Sequence, residues 1–410
     1  MGLASTKNQQ RTGVQIMLVT DLNSRLTELY DEMVTLRRHF HQHPELSFEE
    51  RETPRTIAAY LRDLGLDVRE HVGGNGVVAR IRGGNGPTIA FRADFDALPI
   101  QDLKDVPYRS KVNGSMHACG HDAHTATLLV LAKVLSEIDL PGDVVLIHQF
   151  AEELAPGGAK PMIEDGCLDG VDYIYGSHIW TPLPYGTIGV KTGPIMAAAD
   201  RFELTIKGKG GHGAIPQHTV DAVMVGTNIV SQLQQVISRR IDPLEPAVLT
   251  VGTFVAGQAF NVIADEAKLS GTVRTFTPET QTRIIAEMER TIAHICSASE
   301  AHYELDYIRG YPAVINHPNE TDHVRRSAAR VVGADGIIEM APLMVGEDFA
   351  YYMQHVPGSF FFTGAGNPEV GAVFPHHHPR FDVDERAMLH TARVLMQAAF
   401  ETWNTHKKED

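Results

Sequence analysis

The sequence predicts an α/β protein: a mostly parallel sheet interrupted by a smaller α+β domain of ferredoxin-like plan. Three observations carry the prediction. Up to about Gly186, short apolar runs alternate with amphipathic helical stretches, as a parallel sheet with crossover helices requires. The reactive side chains of that region fall at the ends of the runs, where such sheets collect their ligands. Beyond Gly186 the order becomes strand, helix, strand, strand, helix, strand. The 410 residues suffice for two domains. One spans 21–186 and resumes at 310–406; the other, an inserted lid, spans 187–309.

Residues 1–20 read as a loose tail. Within it, Ile16–Val19 is too short and wrongly flanked for a signal peptide, and Met1-Gly2 with Thr6 matches the myristoylation pattern only formally. Leu26, Leu29, Met33, Leu36 and Phe40 then repeat at helical spacing, a helix that Pro44 stops. A second helix takes Thr53 as N-cap, Pro54 at its first position, Ile57, Tyr60, Leu61 and Leu64 inward, and Gly65 to close. Val77–Ile81 and Thr88–Phe91, split by Gly83-Gly84-Asn85-Gly86, predict neighbouring strands. The second of them opens into Arg92-Ala93-Asp94-Phe95-Asp96-Ala97-Leu98-Pro99.

Met116–His124 leads into the apolar helix Thr125–Ala132, and the buried strand Val144–His148 runs directly into Gln149–Glu153. A Gly-rich turn and a short helix follow, and the strand Tyr173–Gly176 delivers Ser177-His178. In the inserted domain Phe202, Leu204 and Ile206 alternate as a strand, Thr219–Arg240 is a helix, and Ala247–Val255 and Lys268–Arg274 are strands. Pro278–Ala298 and Tyr303–Ile308 supply its last helix and strand. Beyond Tyr311 come an apolar strand at Ser359–Thr363 and a final helix from about Asp384.

Lys and Arg total 36 against 51 Asp and Glu, a net charge of -15 with no basic run, so nucleic acid and anionic membrane are poor partners. No stretch is long and apolar enough to span a bilayer. Three widely spaced cysteines, Cys119, Cys167 and Cys296, suggest no disulfide framework and fit a reducing cytoplasm. The 21 histidines are a first sign of metal chemistry.

Met116–His124 holds three histidines, a cysteine and an aspartate at the mouth of a buried helix. Thiolate and imidazole are the usual ligands of a borderline-soft divalent ion, and a helix N-terminus favours the thiolate. Taken alone, the stretch reads equally well as a buried cysteine beside histidines. Its company decides. Cys119, His121, Glu153, His178 and the run His376-His377-His378 come from four segments, each at a loop or strand end. Five ligands exceed the need of one tetrahedral zinc, which points to two ions sharing a ligand. Glu152-Glu153 allows a division of labour: one carboxylate on metal, the other passing a proton from water to a leaving amine. Asp94 and Asp96, just past a strand, are placed to hold a metal-ligating histidine or to bind metal themselves.

Six segments together resemble the dinuclear metallo-amidohydrolases, the family of aminoacylases, hippurate hydrolases and indole-acetyl-amino-acid hydrolases. They are Arg38–Glu45, Phe91–Pro99, Met116–His124, Ala151-Glu152-Glu153, Gly208–Pro216 and His377–Asp382, in order from about residue 30 to 395. The resemblance implies a zinc-peptidase-like α/β catalytic domain with an inserted lid that mediates dimerisation, giving a homodimer or homotetramer. It implies metal ligands at Cys119, His121, Glu153, His178 and His377, Cys119 bridging where related peptidases use a carboxylate. Glu152 matches the general base, and Asp94 and Asp96 match supporting groups. Gly208–His212 resembles the lid segment whose histidine stabilises the oxyanion, often in the partner subunit's site. Asn261 and Arg274 resemble the lid groups that hold the substrate carboxylate. Within the histidine run the His-x-Pro spacing selects His377, leaving His376 and His378 beside the metal or in solvent. Phe150, Leu154-Ala155-Pro156 and Ala264 depart from the family pattern without removing a ligand, and bear on pocket shape.

The activity so implied is hydrolysis of N-acyl amino acids such as N-acetyl or N-benzoyl amino acids, with two divalent ions (Mn, Zn, Co or Ni) per subunit. A carboxypeptidase or dipeptidase acting on small peptides is the alternative. Two other readings compete: Cys119 as a nucleophile beside His121 or His124, and a catalytically silent binding protein that retains the fold. The blander readings make Glu152-Glu153 a solvated helix start, His178 a core histidine, His212 a turn residue and Arg274 a surface charge.

Overall fold

The computed structural model describes residues 21–406, and the tail read over residues 1–20 lies outside the described residues. Strands are numbered along the chain. The first part carries β1 (Asp67–Val72), β2 (Gly76–Ile81), β3 (Gly86–Asp94), β4 (Gly142–Gln149), β5 (Tyr173–Pro184) and β6 (Ile188–Val190). Next come β7 (Gly193–Met196), β8 (Ala198–Lys207), β9 (Gly211–His212), β10 (Ala247–Ala256), β11 (Val262–Ile263), β12 (Glu266–Thr275) and β13 (His302–Tyr311). The last are β14 (Val314–Asn316), β15 (Ile337–Glu339) and β16 (Gly358–Gly366). Two compact units result: the described residues up to Gly193 with Ile315–Ala341 and from Tyr351 onward, and Pro194–Val314 with Pro342–Ala350.

The first unit is built on an eight-stranded sheet of order β1-β2-β4-β3-β5-β16-β6-β15. Its middle is parallel: β3 pairs with both β4 and β5, and β5 with β16. These strands are buried over most of their length, around the apolar runs Ile89–Phe91, Val144–Ile147 and Phe360–Phe362. The helix His121–Ser136 is itself buried nearly throughout. Three neighbouring parallel strands, β4, β3 and β5, therefore end side by side, with Asp94 opposite Gln149 and Arg92 opposite Gly176. That places the segments leaving those strands in one region.

Two local expectations are corrected. β2 and β3 are not neighbours, because β4 lies between them. The glycine stretch separating them makes no hairpin; it gives room to the chain entering β4. Gly84 N–H donates to Leu140 O at 2.8 Å and Gly86 N–H to Pro141 O at 2.9 Å, and a Cβ on Gly83 would sit 2.2 Å from Gly142 O. The second helix runs Glu52–Asp63, with Thr53 inside it rather than capping it. The Glu45 carboxylate accepts the Arg51, Glu52 and Thr53 N–H groups instead, at 2.8–3.0 Å. Gly65 closes that helix with φ +77°, as its position suggested.

The second unit is a four-stranded antiparallel sheet of order β10-β12-β8-β13. With helices Ala222–Arg240 and Pro278–Ala298 inserted between strands, it is the ferredoxin-like order. Phe202, Leu204 and Ile206 of β8 alternate into a core shared with Ile229, Leu233, Ile284, Met288 and Ile292 of the helices. Asp221 caps the first helix by accepting from Val223 and Met224 N–H; Thr277 caps the second ahead of Pro278. A two-stranded ribbon pairs His212 with Val262 and Gly211 with Ile263.

Candidate metal centre

Cys119, His121 and His178 bring ligand atoms within 4.8 Å of one another; so do Cys119, Glu153 and His377, and so do His121, Glu152 and Glu153. The groups overlap, so six side chains from four segments form one continuous cluster. Cys119 Sγ lies 3.3 Å from His178 Nε2. Glu153 Oε1 lies 3.3 Å from His377 Nε2 and 3.8 Å from His121 Nε2. Gly120, left-handed at φ +100°, turns the chain between Cys119 and the helix that begins at His121. That bend is what lets sulfur and imidazole face the same point.

The electrostatics of the cluster are unfavourable without a cation. Burial and the carboxylates of Glu153 and Glu152 hold the Cys119 thiol well above its ordinary pKa. Without a cation, the roughly half a charge at the helix end is outweighed by burial and nearby acids. Burial opposes charging His121, yet Asp94, Asp96 and Glu153 carry its pKa up to about 10. His178 is held well below the ordinary range by burial and by the rings of His124 and His376. Buried His121 Nε2 and Glu153 Oε1 find no hydrogen-bond partner among the described residues. Soft sulfur, imidazole nitrogen and carboxylate oxygen gathered with unsatisfied lone pairs fit a divalent transition ion.

The surrounding residues fix how these donors point. His121 Nδ1 faces Asp96 through its carboxylate at 3.1 Å and its carbonyl at 3.0 Å, leaving Nε2 for the cluster. His178 Nδ1 donates to Ile179 O at 2.6 Å, which likewise frees Nε2. His124 shares the buried helix face but serves differently. Its Nδ1 meets Asp94 Oδ1 at 2.6 Å, and its Nε2 accepts Ile179 N–H at 2.8 Å. Asp94 also accepts from Arg92 at 2.6 Å. His124 therefore ties Asp94 to the peptide that orients His178. The sequence offers His124 as one of three histidines in Met116–His124 or as a partner for a nucleophilic cysteine, and its three-residue helical spacing from His121 is visible there, but not this bracing role.

Of the three adjacent histidines, the structure brings His377 to the cluster. His376 stacks on Trp180 with centroids 4.5 Å apart, and its two nitrogens meet Cys119 O and Thr181 N–H. His378 stacks on Phe374 at 4.4 Å.

A model of the peptidase family M20/M25/M40 matches residues 90–401. The chain belongs to that family. It is 53% identical over 385 residues to YhaA of Bacillus subtilis (strain 168), provisionally named an amidohydrolase, covering 93% of this chain and 97% of that protein. It is 40% identical over 395 residues to the N-acetyl-L-cysteine deacetylase of the same strain, covering 95% and 93%. Among solved structures, the Bacillus subtilis YxeP protein, a dinuclear metal-binding M20 peptidase, superposes with a TM-score of 0.81 at 36% identity, over 92% of this chain and 99% of that one. As an M20/M25/M40 member the protein is a hydrolase acting on carbon–nitrogen bonds. No helix among its described residues is long and apolar enough to cross a membrane.

The sequence-marked residues of this family member's second unit fall in two places. His212 is exposed, its Nδ1 accepts Ala214 N–H at 3.1 Å, and the adjoining Gly213 N–H donates to Asn261 O at 2.9 Å. His212 and Asn261 thus share one ribbon. Arg274 is eight residues along β12 from Glu266, the end at which the ribbon leaves, roughly 26 Å away at strand rise. Its guanidinium is half-buried, donating to Val273 O at 3.1 Å and to the Thr272 hydroxyl. The structure does not bring Arg274 beside Asn261 within one unit.

Proposed function

We propose that the protein is a metal-dependent amidohydrolase that cleaves N-acyl amino acids to a carboxylic acid and a free amino acid. The observation that carries this reading is Glu152: 7% exposed, it sits against His121 and Glu153 in the donor cluster. Cys119, His121, Glu153, His178 and His377 would hold two divalent cations (Mn, Zn, Co or Ni), as supported by the overlapping groups of donors. When bound, such ions polarise the scissile carbonyl and bring the pKa of an attacking water from 15.7 to about 7. The chain's own part is proton handling and aim. The Glu152 carboxylate takes the proton from water and delivers it to the amide nitrogen, so that the C–N bond breaks to a neutral amine. Asp94 and Asp96 keep the His124 and His121 rings in the tautomer and orientation the ligands need.

His212 is proposed to donate a hydrogen bond to the developing oxyanion, and Asn261 and Arg274 to hold the substrate carboxylate. Arg274 lies far along β12 from the ribbon that Asn261 adjoins, so a single carboxylate held by both would be gripped by two copies of the chain, which supports a homodimer or homotetramer. Cleavage of small peptides is the second reading, supported by the peptidase named among the structural neighbours.

The test is a substrate panel of N-acetyl, N-benzoyl and indole-acetyl amino acids alongside dipeptides, assayed with metal analysis. Glu152→Gln is expected to lower kcat by about 10²–10⁴-fold with metal content unchanged. Turnover near the wild-type rate in that variant defeats the mechanism, and turnover of dipeptides alone defeats the substrate class.

A further inference from the structure

We propose that Ser47 and Glu50 are positioning residues of this site: the segment Glu45–Glu50, which offers nothing to the donor cluster, sets where Glu152, Glu153 and His121 point. The inference rests on Glu152 and Glu153 acting as base and ligand.

Glu50 is only 1% exposed. Its Oε1 accepts the N–H of Ala151 at 2.9 Å, and its Oε2 accepts from Asn75 Nδ2 at 3.0 Å. Ala151 immediately precedes the two carboxylates and carries φ +50°, a left-handed conformation that costs an L-residue with a Cβ about 1–2 kcal/mol. Such a bend persists only when neighbours hold it. Here both its polar groups are held: Glu50 takes the N–H, and the carbonyl accepts Gly158 N–H at 3.1 Å. The bend is what turns the chain leaving β4 so that consecutive carboxylates face the cluster.

Ser47 works on the other side. Its Oγ donates to Asp96 Oδ2 at 2.7 Å, and the same oxygen accepts the Glu153 N–H at 3.0 Å. Asp96 Oδ1 is the atom facing His121 Nδ1 at 3.1 Å. One hydroxyl therefore steadies the carboxylate that orients one ligand ring and the backbone of another ligand. The segment is anchored independently of the cluster. The Glu45 side chain caps the helix starting at Glu52, its carbonyl accepts Ala97 N–H at 2.8 Å, and Phe48 meets the Phe150 ring edge-on at 5.8 Å. Burying a carboxylate near an acidic cluster is costly. A loop needed only for packing would place an apolar side chain there, whereas the acceptor geometry at Ala151 accounts for the acid.

The test separates aim from charge and from folding. Glu50→Gln keeps an acceptor oxygen within reach of Ala151 N–H and loses the ability to ionise; Glu50→Asp keeps the carboxyl group and loses the reach. With folding checked by circular dichroism, Glu50→Asp is expected to lower kcat about 10–100-fold with KM within about twofold, while Glu50→Gln stays within about threefold of wild type. Ser47→Ala is expected to release metal to a competing chelator at about tenfold lower chelator concentration, a readout that needs no turnover. Wild-type kcat in Glu50→Asp, or equal losses in both Glu50 variants, overturns the role of Glu50. Unchanged metal retention in Ser47→Ala overturns that of Ser47. An active Glu152→Gln sinks the catalytic reading instead, and the Ser47 arm still reports on its own.

Discussion

His376, His377 and His378 are chemically identical, and only the backbone separates their tasks. His377 has φ +64°, a left-handed turn that few residues with a Cβ adopt, and its N–H is held by Ala118 O at 2.8 Å. The turn aims the middle ring at Glu153, while the flanking rings stack on Trp180 and Phe374. Strain of this kind at a candidate ligand is what a preorganised site stores. His377→Ala is accordingly expected to weaken metal binding by more than about 100-fold, beyond what loss of an orienting neighbour costs. His378→Ala should leave it unchanged. Equilibrium titration with a metal-sensitive dye decides, and equal effects in the two variants would refute the assignment. From the sequence, the His-x-Pro spacing pointed to His377 through family resemblance alone; the stacking that occupies the other two rings depends on Trp180 and Phe374, far apart in the chain.

Glycine placement does the same work for whole elements. β4 enters the sheet between β2 and β3 through Gly142, where an added Cβ would lie 2.4 Å from Pro87 O and 2.6 Å from Gly86 O. No side chain fits between those backbones. Gly142→Ala is expected to cost about 2–4 kcal/mol in urea unfolding, whereas Gly252→Ala, with its closest approach at 3.8 Å, should cost under about 1 kcal/mol. Similar losses in both would mean that close approach is not what constrains Gly142. The same glycines mark how far local pattern carries. Alternation and apolar runs gave the strands, the parallel core and the ferredoxin-like order, because face-by-face burial is written locally. Strand order is not: a Gly-rich link reads as a hairpin until the distant Leu140–Gly142 chain is seen to occupy the gap. The cap at Glu52 is hidden from local pattern for a like reason, since Glu45 reaches it from outside the helix. The segments that form the donor cluster are legible because each sits in a short motif, while Ser47 and Glu50, beside it, have no motif chemistry of their own.

Among the described residues, several histidines are buried with lowered pKa values, and each costs stability as the pH falls. Burial, with Arg393 nearby, lowers the pKa of His390 to about 4, and burial alone lowers His148 to about 3. An unfolded histidine titrates near 6.5. Above that value both states are neutral and the full stability is present. As pH falls, the unfolded chain takes protons that the folded chain refuses until about pH 4, so stability is lost across that window. Carboxylates cannot explain a loss there. Asp94 and Asp122, although burial opposes their charge, are held well below the ordinary range by His121 and Arg37 respectively, so their contribution disappears only at lower pH. His390 stacks on Tyr185 in the C-terminal helix, apart from the donor cluster, and is the clean probe. The gap between 6.5 and about 4, at 1.36 kcal/mol per tenfold change in proton affinity, gives roughly 3 kcal/mol, and its partial exposure reduces that to about 2 kcal/mol. Between pH 7 and pH 4.5 the wild-type chain is therefore expected to lose about 2 kcal/mol more unfolding free energy than His390→Gln, measured by urea denaturation at each pH. Parallel losses in the two proteins would show that His390 takes up its proton as readily in the folded chain as in the unfolded one.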